Sequence, residues 1–195
     1  MTASHLGIYI WAIGVVAWFV IRFPYARKAR RTATVRVHGW SRERILLTVA
    51  AIGLVVLPAV WLATGWPGAL DYDLNYAAVV IGAVVYLASL WLFRRSHKDL
   101  GRQWSASLEI RESHQIVRGG VYRRIRHPMY ASFWLWALAQ AFLLPNAFAA
   151  LSGLVAIAIL FFTRIDFEER MLTEAFGEDY RTYMRETKRI IPGIY

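Results

Sequence analysis

The sequence predicts an all-α integral membrane protein with about five transmembrane helices, built as a single domain over residues 1–195. Three observations predict it. Of the 195 residues, 57% are apolar and 15% aromatic, with nine Trp, well outside the composition of a soluble domain of this size. Several windows of about 18 residues or more are almost free of charge, long enough to cross hydrocarbon of roughly 30 Å at about 1.5 Å per residue. All 23 Lys and Arg fall in three segments or at their edges: eight in Arg22 and Arg27 to Arg44, nine in Arg94 to Arg126, and six in Arg164 to Arg189.

The first span covers residues 6–23, uncharged until Arg22. Its first base follows the apolar run instead of preceding it, the order of a retained anchor and not of a cleaved signal peptide. The second and third spans, 45–65 and 76–93, carry no charge. The block from Met129 to Phe162 is also uncharged and too long for one crossing. Its Pro145-Asn146 pair is a turn signal, which divides it into a short span at 130–144 and an antiparallel return at 147–163. The connection between the second and third spans holds Asp71 and Asp73 without a base, so the positive-inside rule puts the three basic segments in the cytoplasm and the N-terminus outside.

This placement gives the net charge of +10 a membrane meaning and excludes nucleic acid as its partner. The segment from Arg27 to Arg44 reads as a polybasic surface attracting anionic membrane lipids, at about 1 kcal/mol per base. Trp40, Trp61, Trp66, Trp91 and Trp104 lie near span ends, where indoles anchor helices in the headgroup zone. With no Cys, thiol chemistry, thiolate metal sites and disulfides are excluded. Beyond Phe162 the chain becomes charged and amphipathic. Leu172, Phe176, Tyr180 and Tyr183 are spaced as one helix face, Gly177 marks a break, and Pro192 stops the pattern.

Chemistry concentrates in His114 to Tyr130, where rings, hydroxyls and guanidinium groups crowd beside an apolar span at a cost in free energy unless they are paired. The helical hairpin that follows brings this segment to the depth of Arg164 and Glu168. His127, Pro128 and Tyr130 are thus expected to share one site with them at the inner interface. Two His, two Tyr, an Arg and a Glu suit a polar cofactor bearing both charges, with an apolar substrate arriving sideways from lipid. No metal site is expected: His114 and His127 are 13 residues apart with no carboxylate at ligand spacing between them. Ser107, Ser113 and Ser132 sit in no nucleophile elbow, and Gly119-Gly120 is a turn signal without a phosphate-cradling pattern.

In order and spacing, His114-Gln115-Ile116-Val117, Gly120-Val121-Tyr122 and Arg126-His127-Pro128-Met129-Tyr130 precede Arg164, Glu168, Glu169, Leu172, Phe176-Gly177, Tyr180, Tyr183 and a terminal Arg189-Ile190-Ile191-Pro192. This pattern, over roughly the C-terminal half, resembles the isoprenylcysteine carboxyl methyltransferases. The N-terminal half is similar only as membrane spans. The resemblance implies S-adenosylmethionine as methyl donor, a cytoplasmic cofactor pocket formed by the C-terminal half without a Rossmann domain, and a lipidic, prenylated substrate entering from the bilayer. It implies cofactor contacts for His114, Gln115, Ile116, Val117, Tyr122, His127, Pro128, Met129, Tyr130 and Glu168, and a substrate contact for Arg164. The chain departs from the family at Ser107, where a glutamine is usual, and at Ser132, where a glycine is usual.

Physical chemistry agrees with these implied roles. Arg164 can grip a carboxylate with two hydrogen bonds, while Glu168, one helical turn on, can receive an ammonium group. Tyr122 and Tyr130 offer aromatic faces to adenine or a sulfonium, and main-chain groups of Gln115 to Val117 suit adenine. Each has a plainer reading: Arg164 and Glu168 as a surface i, i+4 pair, His127-Pro128 as a helix start, the two Tyr as belt aromatics. Methylation of a lipid amine, which needs a proton acceptor, is the alternative reaction. A non-catalytic lipid-binding protein is the alternative class, and a nicotinamide-dependent reductase is remote because no dinucleotide fingerprint is present.

Overall fold

The uncharged runs are helices in the computed structural model, which describes residues 2–29, 36–37, 40–101, 109–110 and 116–195. Helix α1 spans Ala3–Ala29, α2 Trp40–Ala51, α3 Leu57–Thr64, α4 Tyr76–Leu100, α5 Pro128–Leu143, α6 Ala147–Phe176 and α7 Glu178–Glu186. A π-helical segment, Ile52–Val56, joins α2 to α3 without a break. Apart from one antiparallel pair, β1 Arg36–Val37 with β2 Glu109–Ile110, every regular element among the described residues is helical. That pair, registered Arg36 to Ile110, ties the first basic segment to the second.

Among the described residues, four stretches are long and apolar enough to cross a membrane: Ala3–Lys28, Glu43–Thr64, Tyr76–Leu100 and Ala147–Phe176. The expected span at 130–144 is α5, whose 16 residues reach only about 24 Å. Pro128 at its first turn and the Pro145-Asn146 turn bound it. The expected span at 147–163 instead runs on to Phe176, since no Pro or Gly lies between Thr163 and Gly177, whose φ of +58° ends the helix. The expected single face of Leu172, Phe176, Tyr180 and Tyr183 is therefore divided: the first two lie on α6, the last two on α7. The helical pattern also stops at Glu186, before Pro192.

Helix α5 lies between α4 and α6, with Trp136, Ala137, Ala139 and Leu143 fully enclosed. One side chain on it ties the bundle together. Leu57 N–H bonds back five residues to Ile52, and the next donor in that register would be Pro58, which has no N–H. The Gly53 carbonyl thus lacks a main-chain donor inside an apolar layer where such a group must be satisfied. Gln140 Nε2 donates to it at 3.1 Å and Ser152 Oγ at 2.7 Å. Gln140 also donates to Ala149 O and accepts from the Trp11 indole, so one buried amide joins α1, the π segment and α6 to α5.

At the opposite end from the basic segments, Asn146 caps α6 through Ala149 N–H and donates to Asp71 and to Pro67 O. Asp71 also accepts from the Trp61 indole at 2.9 Å, and Trp61 is buried. Trp61 is thus part of the bundle and not a headgroup anchor, because its N–H has a carboxylate partner inside the protein. Trp66 and Trp91 are well exposed, as headgroup-zone indoles are. Trp104 and the side chain of Trp40 lie outside the described residues.

Candidate active site

The site is built from the turn upward. Gly120 has φ +61°, and a Cβ there would sit 2.0 Å from Asp99 Oδ2. Only glycine fits this approach, which lets Asp99 accept the Val121 N–H at 3.0 Å and start the 3-10 turn Gly120–Arg123. The turn buries Tyr122, with its hydroxyl towards Ser96 O and its carbonyl accepting from the Tyr183 hydroxyl at 2.6 Å. Burial pushes the Tyr122 phenol up, reinforced by Tyr183, Glu168 and Asp99. Burial also raises Tyr183, to about 12, against the opposing charges of Arg126 and Arg118. Both phenols therefore stay protonated at neutral pH. Gly120→Ala is expected to destabilise the protein by about 1–3 kcal/mol or more, read as a lowered melting temperature.

Glu169 forms the first of two carboxylate centres. It is 4% exposed. Its Oε1 accepts from Arg126 Nε at 2.9 Å and lies 3.1 Å from His127 Nε2, while its Oε2 accepts from Arg189 Nη2 at 2.8 Å and Nε at 3.1 Å. Arg126 further donates to Met184 O and Thr187 O, the free carbonyls where α7 ends. Main-chain bonds run beside this cluster, from Arg126 N–H to Lys188 O and from His127 N–H to Arg189 O. Burial disfavours the Arg189 cation, but hydrogen bonds to Glu169 and Tyr195 more than reverse that and raise its pKa. Glu169 thus fastens the C-terminal segment to the start of α5.

Glu168 forms the second centre. Its Oε2 accepts from the Tyr130 hydroxyl at 2.7 Å and lies 3.5 Å from Arg164 Nε, and its Oε1 is 3.9 Å from His127 Nδ1. The Arg164 guanidinium lies 5.9 Å from the Tyr130 ring centre and pairs through Nη2 with Glu43 Oε1 of α2 at 3.1 Å. The guanidinium is largely buried, as is Glu43, so this is no surface pair.

The structure therefore brings His127, Tyr130, Arg164 and Glu168 together, as hairpin geometry predicts. Pro128 is buried at the first turn of α5, and Met129, Ile116 and Val117 are half-buried. Tyr122 faces α4 and α7. The Ser132 carbonyl, which a glycine would offer equally, accepts from Ser89 Oγ at 2.7 Å and stitches α5 to α4, while the Ser132 hydroxyl donates to Met129 O of its own helix. His114 and Gln115 lie outside the described residues, as does Ser107. Among the described residues, no group of three or more His, Cys, Asp or Glu could hold a metal ion.

Residues 79–174 match the model of the isoprenylcysteine carboxyl methyltransferase (ICMT) family. The resemblance carried by the motifs is an ICMT family match. Over 96 residues the chain is 33% identical to protein-S-isoprenylcysteine O-methyltransferase B of Arabidopsis thaliana, covering 48% of this chain and 49% of that one. It is 29% identical over 116 residues to the A protein of the same plant, covering 60% and 56%. To the Homo sapiens protein-S-isoprenylcysteine O-methyltransferase it is 30% identical over 83 residues, covering 43% and 29%. The chain thus spans about half the length of the first of these relatives, or a little more. Its fold is that of the solved eukaryotic intramembrane Ras methyltransferase ICMT, at a TM-score of 0.61 and 21% identity over 97% of this chain and 68% of that one.

Three residues of this site escape sequence reasoning. Arg126 and Glu169 stand inside the motifs without an assigned role, and only the fold shows that they pair across α5 and α6. Two adjacent carboxylates on a helix point in different directions, but both reach His127, so the sequence does not separate the role of Glu169 from that of Glu168. Glu43 carries no signal either. It lies before the ICMT match, in the half that reads only as spans.

Proposed function

We propose that this protein is a membrane-embedded S-adenosylmethionine-dependent carboxyl O-methyltransferase acting on a prenylated cysteine or a similarly lipidic carboxylate. In this reading five helices enter the membrane, α5 only part of the way, with the N-terminus outside and the site at the cytoplasmic face. One observation carries it: Tyr130, Arg164 and Glu168 meet across the α5–α6 hairpin within a segment that matches the ICMT family.

The residues fit the cofactor. Glu168 is partly exposed, and its Oε1 is turned towards His127 at a distance beyond a hydrogen bond, which suits it to an incoming ammonium. His127 and Tyr130, with ring centres 5.8 Å apart, supply aromatic faces, and Tyr122 lines the same end. Ile116, Val117, Pro128 and Met129 supply apolar walls, with His114 and Gln115 completing the assigned set. When bound, S-adenosylmethionine supplies a methyl group activated by a sulfonium.

The protein's own work is alignment and exclusion of water. Tyr130 fixes the Glu168 carboxylate by its hydroxyl, and Arg164 presents a guanidinium to the acceptor carboxylate. That carboxylate is already ionised at neutral pH, so no base is needed. An apolar groove of about 590 Å³, walled by Trp91, Leu92, Ala131, Trp134, Leu135 and Ile191, offers room for hydrocarbon; Tyr130, Arg164 and Glu168 do not line it.

The test is transfer of labelled methyl from S-adenosylmethionine to N-acetyl-S-farnesylcysteine by the purified protein. Base-labile label on the acceptor, as a methyl ester gives, is expected. Base-stable label on phosphatidylethanolamine would instead establish amine methylation, and no transfer to any lipid would leave a non-catalytic binding protein.

A further inference from the structure

We propose that Glu43 is a positioning residue for the acceptor: from the first turn of α2 it holds the Arg164 guanidinium in the orientation that receives a carboxylate. This rests on the acceptor role of Arg164 proposed above.

A glutamate in the first turn of a helix is ordinarily explained by the helix dipole, and then its side chain stays in solvent. Glu43 does otherwise. Its side chain is 5% exposed and directed across to α6, with Oε1 3.1 Å from Arg164 Nη2. Burying a carboxylate is costly unless a cation meets it, so the partner explains the burial. Three groups surround the Arg164 guanidinium, although its buried Nε–H makes no hydrogen bond among the described residues. Nη2 goes to Glu43, Nε faces Glu168 at 3.5 Å, and the Tyr130 ring lies against the guanidinium at 5.9 Å.

Neither ion pair uses Nη1. A guanidinium has five N–H donors fixed in one plane, so holding Nη2 against Glu43 constrains where the Nη1 hydrogens point. A free arginine side chain would have to be ordered when the acceptor binds, which weakens binding. One already held by Glu43 would not. Glu168 alone cannot supply this restraint if it also serves the cofactor, and Glu43 comes from a different helix. The site is then completed by the N-terminal half, outside residues 79–174.

The test measures binding of N-acetyl-S-farnesylcysteine to the full-length protein saturated with S-adenosylhomocysteine, which has no methyl group to transfer. Glu43→Ala is expected to weaken acceptor binding about tenfold, and Glu43→Gln, which keeps one acceptor oxygen and the side-chain volume, about threefold. S-adenosylhomocysteine affinity should change less than about twofold, and in turnover KM should rise with kcat near the starting value. In an Arg164→Ala background the same substitutions should have no further effect. Glu43→Gln also serves if Glu43→Ala does not fold.

Tighter acceptor binding in Glu43→Gln would mean that Glu43 competes for Arg164, and unchanged binding would mean that it merely packs. A loss that persists without Arg164 would mean that it acts elsewhere. Each of these overturns the proposal while leaving the acceptor reading intact. A starting protein that binds no farnesylated cysteine overturns both.

Discussion

Glu169→Ala is expected to lose about 3–5 kcal/mol of stability and to free the C-terminal segment, because it strands buried cations instead of merely deleting a contact. Glu169 answers Arg126 and Arg189 directly and holds His127 at 3.1 Å. Arg126 has only 8% of its side chain exposed, and water cannot replace the lost carboxylate there. Its other bonds, to Met184 O and Thr187 O, hold the end of α7, so the damage spreads to that helix. Thermal unfolding in detergent should show a strongly lowered melting temperature. Limited proteolysis should show new cleavage between Thr187 and Tyr195. A variant that melts like the starting protein with an intact C-terminus would refute the fastening role.

Glu168→Ala, one residue away, is expected to behave in the opposite manner: a folded protein that has lost its cofactor. Among the described residues Glu168 closely touches Tyr130 and Arg164, and Arg164 keeps Glu43 when Glu168 is removed. The fold therefore loses little. A hydrogen bond from an ammonium to this carboxylate contributes about 1.5–3 kcal/mol, so S-adenosylmethionine affinity should fall about 10- to 150-fold. Equilibrium binding of labelled S-adenosylmethionine reads this directly. If Glu168→Ala binds normally while its melting temperature collapses, the two glutamates have been given each other's roles.

These two outcomes show what the sequence conveys and where it stops. Hydropathy and the Pro145-Asn146 turn sufficed for the hairpin, and hairpin geometry alone brought Tyr130 to Glu168. Length is less legible: α6 continues thirteen residues beyond Thr163, because a hydropathy profile reports where an apolar run ends and not where its helix ends. The π segment is legible only afterwards. Pro58 announces a missing donor, but which carbonyl suffers depends on the hydrogen-bond register, and its rescue depends on Gln140, 87 residues from Gly53.

Trp61 shows the same limit, since an indole near a span end anchors in lipid or bonds inward according to whether a partner such as Asp71 is present. Glu43 lay beyond reach altogether. A single carboxylate at the start of an apolar run has no pattern to interpret until α2 is seen packed on α6.

The proposed function divides the labour one helical turn apart, with Glu168 serving the cofactor and Arg164 the acceptor. Calorimetric titration of S-adenosylmethionine into the purified starting protein and Arg164→Ala tests this division most directly. One site per chain is expected, with affinities within about threefold of each other, alongside loss of methyl transfer to N-acetyl-S-farnesylcysteine in the variant alone. No heat with the starting protein, or cofactor affinity lost together with Arg164, would contradict it.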